Sequence, residues 1–371
     1  MKLSASILNT KLPEPFSVSF HTFYYRETVV ITLSHKGFTG VGEAAPFKPI
    51  TGDSQDDVVE DVSKVRTIPL NPETDSLAQL HAFLDTKITS LTLRAAIDFA
   101  YHDLIAKIRK IPVYALYAPK ASLVDNSVTV LLHDTLSQTA QATRQIFDEF
   151  PKLKILKIKL KGEGDIERVR AIKNASPARM KYIVDANQGF TDPKKAVKDL
   201  NSINKILGNV ILVEEPCPKG QLTKLKFVKD NVEGMLVFAD ESAATIEDAK
   251  VVTKKKAAHG INIKLQKAGG IWPSKVIAEM AEKADMKVMV GCMLEGPIGI
   301  AAGVHFAVST PNIILSDLDA DLKVQNYTTG MSPYVAGQRV PVSKNGLGVE
   351  LNMDKVKILQ KSKELIFQKV G

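Results

Sequence analysis

ILKIKL (155–160), KYIVDA (181–186), VILVEE (210–215), MLVFAD (235–240) and INIKLQ (261–266) are five short apolar runs, each carrying a charged residue at or near its end. Those residues are Lys159, Asp185, Glu214, Asp240 and Lys264, which lie 26, 29, 26 and 24 residues apart by their numbers. Apolar runs this short, rich in Ile and Val, read as buried strands. On either side, SVTVLL (127–132), KVMVGC (287–292) and NIILSD (312–317) bring the number of runs to eight. Amphipathic stretches lie between them, at Asp165–Asn174, Pro193–Ile206, Ile246–Thr253, Pro273–Lys283 and Ile298–Val308. Strands alternating with helices build either a closed barrel or an open doubly wound sheet. In an open sheet the strand order would scatter these polar residues to both sides of a switch point. In a barrel, groups at the C-terminal ends of consecutive strands converge on one mouth. The sequence therefore predicts a barrel.

The flanks read differently. SVSFHTFYYRETVVITLSH followed by FTGVGEAAP predicts two or three antiparallel strands, and helices follow at about Ser54–Val65, Ser76–Asp85 and Leu91–Arg109. This α+β unit occupies 1–122, the barrel 123–322, and a segment at 323–371 returns to the α+β unit. Loops and short strands are expected through VQNYTTGMSPYVAGQRVPV, and a terminal helix over Leu351–Val370.

Composition narrows the class. The 371 residues are 44% hydrophobic and 24% charged, a globular mix that excludes disorder as the main state. A membrane span is not expected. Two cysteines cannot make a disulfide framework, so a reducing compartment fits, and MKLSASILNTKLPEPF does not read as a signal peptide. A cytoplasmic protein is expected. The net charge of +8 raises the question of nucleic acid, but only Lys254–Lys256 forms a dense run and no aromatics interleave with it. A solvated basic surface, welcoming to small anions, is the reading taken.

Three carboxylates meeting in one mouth repel unless a cation sits among them. Asp185, Glu214 and Asp240 offer only oxygen, which suits Mg²⁺; zinc would bring His or Cys. Glu215 neighbours Glu214 but alternation points it to the opposite face. Lys157 and Lys159 share one face of their strand. Lys264 lies four strands further on, across an eight-membered ring. Two opposed bases beside a dication suit a 1,1-proton transfer at a carbon α to a carboxylate, through an enediolate. A lysine base needs its pKa lowered from about 10.4 toward the operating pH, and burial, Lys157 and the metal are expected to do this. Asp317 and Asp319, two apart at the end of the eighth strand, can hold a cationic group of the substrate. GFTGVGEA precedes no helix at the required place and is no dinucleotide fingerprint. GPIGIAAG can present helix N-terminal amides to an anion.

Together, Lys157-Ile158-Lys159, VDANQGF (184–190), VEEP (213–216), ADES (239–242) and INIKLQKAGG (261–270) resemble the enolase superfamily, in its muconate lactonizing enzyme subgroup. FTGVGEAAP and ITGDS (50–54) extend the resemblance outside the barrel. It implies a modified (β/α)7β TIM barrel with an α+β capping domain formed by the N-terminal region and the C-terminal tail. It also implies one Mg²⁺ per subunit on Asp185, Glu214 and Asp240, with Lys159 and Lys264 as the acid/base pair, a Lys-plus-Mg²⁺ pattern general to this superfamily. A homo-oligomer is a further implication.

Asp317-x-Asp319 resembles the dipeptide epimerase family, whose pair binds the substrate ammonium. On that resemblance the dipeptide carboxylate meets Lys157, and Thr129, Cys292 and Leu294 line the substrate, the last two through backbone groups. Glu295 matches a family position whose role stays open. One departure concerns the cap: where the L-Ala-D/L-Glu type carries an arginine, this chain has His21. A neutral His pairs poorly with a carboxylate. The expectation is Ala followed by a neutral or hydrophobic residue, with Ala-Glu kept as the alternative because Arg26 lies five residues on. N-acylamino acid racemase, o-succinylbenzoate synthase and muconate cycloisomerase are sister readings, but none has an ammonium for Asp317 and Asp319 to bind. A catalytically silent binding protein on this fold would have no need of every acid and both lysines, and a nucleic-acid-binding protein is less favoured still. No membrane partner is expected.

Overall fold

Alternation of apolar and polar residues in the first 44 positions builds an antiparallel meander of β1 (Lys2–Val18), β2 (His21–His35) and β3 (Phe38–Ala44). The computed structural model describes residues 1–18, 21–161, 164–322 and 324–370, apart from the side chains of 16–18 and 21. The β2–β3 turn is Lys36-Gly37, with φ of 45° and 82°, the two left-handed positions that a two-residue hairpin of the right twist demands. Helices α1 (Lys48–Thr51), α2 (Gln55–Val62), α3 (Leu77–Asp85) and α4 (Leu91–Ile108) follow. Ser54, Ser76 and Ser90 each accept a backbone N–H as the N-cap of α2, α3 and α4. A side chain at Gly40 or Gly42 would run into the carbonyls of Ala100 and Ala96, so these glycines let α4 lie directly on β3.

The eight predicted strands all form: β4 (Val128–Val130), β5 (Ile155–Lys159), β6 (Lys181–Asp185), β7 (Val210–Glu214), β8 (Leu236–Ala239), β9 (Gly260–Lys264), β10 (Lys287–Gly291) and β11 (Ile313–Asp317). They are parallel and ordered β4 to β11 without a switch. The ring closes where Ser127 N–H donates to Ser316 O at 2.8 Å and Ser316 N–H to Asp125 O at 2.9 Å. Around it stand α5 (Leu136–Glu149), α6 (Ile166–Ala175), α7 (Pro193–Leu207), α8 (Leu222–Asn231), α9 (Ile246–Lys255), α10 (Leu265–Ala268), α11 (Ile271–Lys283) and α12 (Pro297–Val308). Among the described residues no helix follows β11 before the tail, which makes the barrel (β/α)7β.

The period of two places the polar groups. Ile155, Ile183, Leu212, Phe238, Met289 and Leu315 form one buried cluster. Two residues further along each strand, on the same face, come Lys157, Asp185, Glu214, Asp240, Gly291 and Asp317. The apolar layer floors the barrel and the charged layer stands above it, at the C-terminal ends of the strands.

The tail corrects one expectation. After a small ribbon of β12 (Tyr334–Val335) and β13 (Gln338–Arg339), residues 351–370 are not one helix but α13 (Met353–Lys361) followed by β14 (Leu365–Val370). That strand pairs antiparallel with β1, from Ala5↔Val370 to Thr10↔Leu365, and completes a four-stranded sheet. LIFQKV alternates and is half β-branched or aromatic, and the edge of β1 offers it a backbone partner. Among the described residues no helix is long and apolar enough to cross a membrane.

Candidate active site

One cavity opens over the strand ends, and Lys157, Lys159, Lys264, Asp317, Asp319 and Thr129 line it together with Cys292 and Leu294. The three acids lie beneath, each no more than 1% exposed. Lys157 Nζ is shared among Asp185 Oδ2 at 3.2 Å, Glu214 Oε2 at 3.1 Å and Asp317 Oδ2 at 2.7 Å. Lys159 Nζ lies 3.4 Å from Asp185 Oδ2 and 3.5 Å from Asn187 Oδ1. Across the ring, Lys264 Nζ donates to Asp240 Oδ2 at 2.8 Å. Lys267 Nζ donates to the Asp240 backbone oxygen at 2.7 Å and also to its Oδ1.

Electrostatics follow from this pairing. Burial works to raise the carboxyl of Asp185, but Lys157 and Lys159 outweigh it and hold the group down at about 2. The same contest, won by Lys264 and Lys267, holds Asp240 well below the ordinary carboxylate range. Glu214 goes the other way: burial outweighs Lys157, and the neighbouring acids add to the rise. The expected lowering of the lysines is not found at Lys264. Burial does push its ammonium down, but Asp240, with help from Glu214 and Glu241, raises it overall. Lys157 is raised in the same way by Asp317, Glu214 and Asp185 against its burial.

As they stand, no three His, Cys, Asp or Glu side chains among the described residues are drawn together closely enough to hold a metal. The donor set nevertheless fits a hard dication: three buried carboxylates on consecutive strands, with Glu214 Oε1 buried and lacking any hydrogen-bond partner.

At the other rim, Asp317 accepts from Ser127 Oγ at 2.7 Å as well as from Lys157. Asp319 accepts from Thr129 N–H at 2.8 Å, and Cys292 Sγ lies 3.9 Å from its second oxygen. Burial first, and the Asp317 charge second, push the Asp319 carboxyl up to about 6. Glu295 is buried, accepts from Met293 N–H at 3.0 Å, and burial pushes it up to about 8. The His21 side chain lies outside the described residues. Arg26 does not reach the cavity: it is fully buried and its Nη2 donates to Ala320 O, on the turn just after Asp319.

Sequence reasoning missed four participants. Asn262 Nδ2 donates to Glu214 Oε2 at 3.0 Å, Asn187 stands by Lys159, Lys267 grips Asp240, and Glu241 lines the cavity. Asn262 and Lys267 carried a signal: Asn262 is a polar residue inside an apolar strand two positions before Lys264, and Lys267 lies three positions after it. Glu241 reads in sequence as an ordinary acid opening a helical turn.

Known proteins resemble the chain over most of its length. A family model described as "Enolase C-terminal domain-like" matches residues 137–355, and one described as "Mandelate racemase / muconate lactonizing enzyme, N-terminal domain" matches 2–117. An L-Ala-D/L-Glu epimerase of Bacillus subtilis is 32% identical over 355 residues, covering 94% of this chain and 96% of the relative. A hydrophobic dipeptide epimerase of Enterococcus faecalis is 33% identical over 330 residues, covering 87% and 91%. A crystal structure of an Enterococcus faecalis dipeptide epimerase with Mg and L-Leu-L-Tyr superposes with a TM-score of 0.86 at 31% identity, over 94% of this chain and all of that one.

Proposed function

The chain belongs to the enolase superfamily, in the dipeptide epimerase family of its muconate lactonizing enzyme subgroup, and we propose that it inverts the α-carbon of the second residue of a dipeptide. The observation that carries this reading is the single cavity lined by Lys159 and Lys264, from strands four apart, and by Asp317 and Asp319 at its rim.

Lys159 takes the α-proton from one face and Lys264 returns a proton to the other; in the reverse direction they exchange roles. Lys157, already the partner of three carboxylates, is the cation that receives the substrate carboxylate. Asp185, Glu214 and Asp240 would hold Mg²⁺, which supplies positive charge against the developing enediolate. Asp319, its geometry fixed by Thr129 N–H, accepts from the substrate ammonium. Asp317 contributes a second negative charge there while it is held by Lys157 and Ser127.

The cap side of the cavity argues for a neutral or hydrophobic second side chain after a small residue such as Ala. Leu12, Phe47 and Ile50 line it, and Glu14 is the charged residue beside them. A glutamate side chain would meet that acid, and Arg26 cannot compensate because its guanidinium is buried against Ala320. Turnover of Ala-Glu, Ala-Val and Ala-Leu with Mg²⁺ tests the preference: Ala-Val and Ala-Leu should be epimerised faster, and a clear preference for Ala-Glu would overturn it. A cytoplasmic location and a homo-oligomeric assembly belong to the same reading. The even spread of lysines, without interleaved aromatics, favours a small substrate over nucleic acid.

A further inference from the structure

Glu241 opens the short turn Glu241–Ala243 that follows Asp240, at the C-terminal end of β8. An acid at such a position is ordinarily a solvated helix-start residue. This one is only 5% exposed, and its Oε2 is buried with no hydrogen-bond partner. The side chain lines the substrate cavity. Burial and the Asp240 and Glu215 charges work against its charged form and the nearby Lys264 and Lys267 ammonium groups favour it, but both of those lysines are hydrogen-bonded to Asp240. Glu215, by contrast, is fully occupied by Asp240 N–H, Ser242 N–H and Ser242 Oγ at 2.7, 3.0 and 2.6 Å. A buried carboxylate oxygen with nothing to accept from costs free energy, and such an atom in a folded site marks a place for a ligand.

We propose that Glu241 is a fourth acid of the metal centre, its Oε2 accepting a hydrogen bond from a water of the Mg²⁺ hydration shell. Mg²⁺ gives up its waters reluctantly and keeps several when protein-bound, and each retained water needs an acceptor. Asp185, Glu214 and Asp240 are the direct ligands, and Glu241 secures the shell from the substrate side. The inference rests on the metal reading given above and adds a residue to it.

Calorimetric titration of Mg²⁺ into the substrate-free protein, with thermal unfolding with and without Mg²⁺, tests it. Glu241→Gln should weaken Mg²⁺ binding at least fivefold and shrink the Mg²⁺-induced rise in Tm. Its Tm without Mg²⁺ should be equal to or above that of the wild type, because a buried charge beside Asp240 and Glu215 is gone. Glu241→Ala should weaken binding in the same direction. A wild-type protein that binds Mg²⁺ and variants that bind it within twofold as tightly would overturn the role of Glu241 alone. A wild-type protein that binds no Mg²⁺ would overturn the metal reading as well. A variant with a lower metal-free Tm and unchanged affinity would show a purely structural residue.

Discussion

On the proposed mechanism Lys159 and Lys264, which line the same cavity, are two halves of one proton transfer, so removing either should leave the other half running. Lys264→Ala should lose epimerisation by about 10²–10⁴-fold, the usual worth of a positioned acid or base. In D₂O it should still exchange the α-proton of the epimer that faces Lys159, without inversion. Lys159→Ala should do the converse. Loss of exchange in both epimers with either variant would contradict the two-base arrangement. At the rim, Asp319→Asn should raise KM for a dipeptide about tenfold or more, since a hydrogen bond to a charged group is worth about 1.5–3 kcal/mol, while kcat changes far less. With the Asp319 carboxyl pushed up to about 6 by burial and Asp317, KM should climb as pH falls through that value, because the neutral acid no longer attracts an ammonium. A flat KM between pH 5 and 7, measured by steady-state kinetics, would contradict the assignment. These acids and lysines were legible in the sequence because each ends a strand in the same phase. Glu241, Asn262 and Lys267 were not singled out, because their significance depends on what they touch across strands.

Elements show the same division. The eight strands could be read from short apolar runs, six of them with a charge at or near the end, since a buried parallel strand has little other pattern to follow. The segment 351–370 could not, because its second half becomes a strand only by pairing with β1, an edge that local propensity cannot see. Arg26, five residues from His21, reads in sequence as a candidate substrate contact. It sits instead on β2 as a buried strut, donating to Ala320 O and placing its charge near Glu295 and Tyr327. Glu43 accepts from Gly296 N–H, Gly299 N–H and Tyr327 Oη in the same region, joining β3 to the start of α12. A hydrogen bond from a charged donor is worth about 1.5–3 kcal/mol. Arg26→Met should lower stability to urea by about that amount and raise KM for the dipeptide by loosening the turn that carries Asp319. Unchanged stability would show that the guanidinium is not holding that turn.

For the molecule as a whole, His305 ties α12 to the connecting segment before the barrel and to the tail. Its Nδ1 accepts from Tyr114 N–H at 3.1 Å, which requires the proton on Nε2, facing Leu347 O at 3.3 Å. Burial drives the ring down to about 4, against the Leu347 carbonyl that favours the cation. Because the folded value lies below the unfolded one near 6.5, the unfolded chain binds the extra proton first. The stability present above pH 6.5 should therefore fall by about 3 kcal/mol as pH drops toward 4, and His305→Gln should remove that part of the dependence in urea titrations. The fold brings cap, barrel and tail together around one cavity, where the proposed proton transfer would take place. Proton NMR in D₂O with Mg²⁺ and Ala-Val tests it. The α-proton of the second residue should disappear while the diastereomeric dipeptide accumulates. Retention of that proton across a panel of dipeptides, from the folded Mg²⁺-loaded protein, would contradict the account.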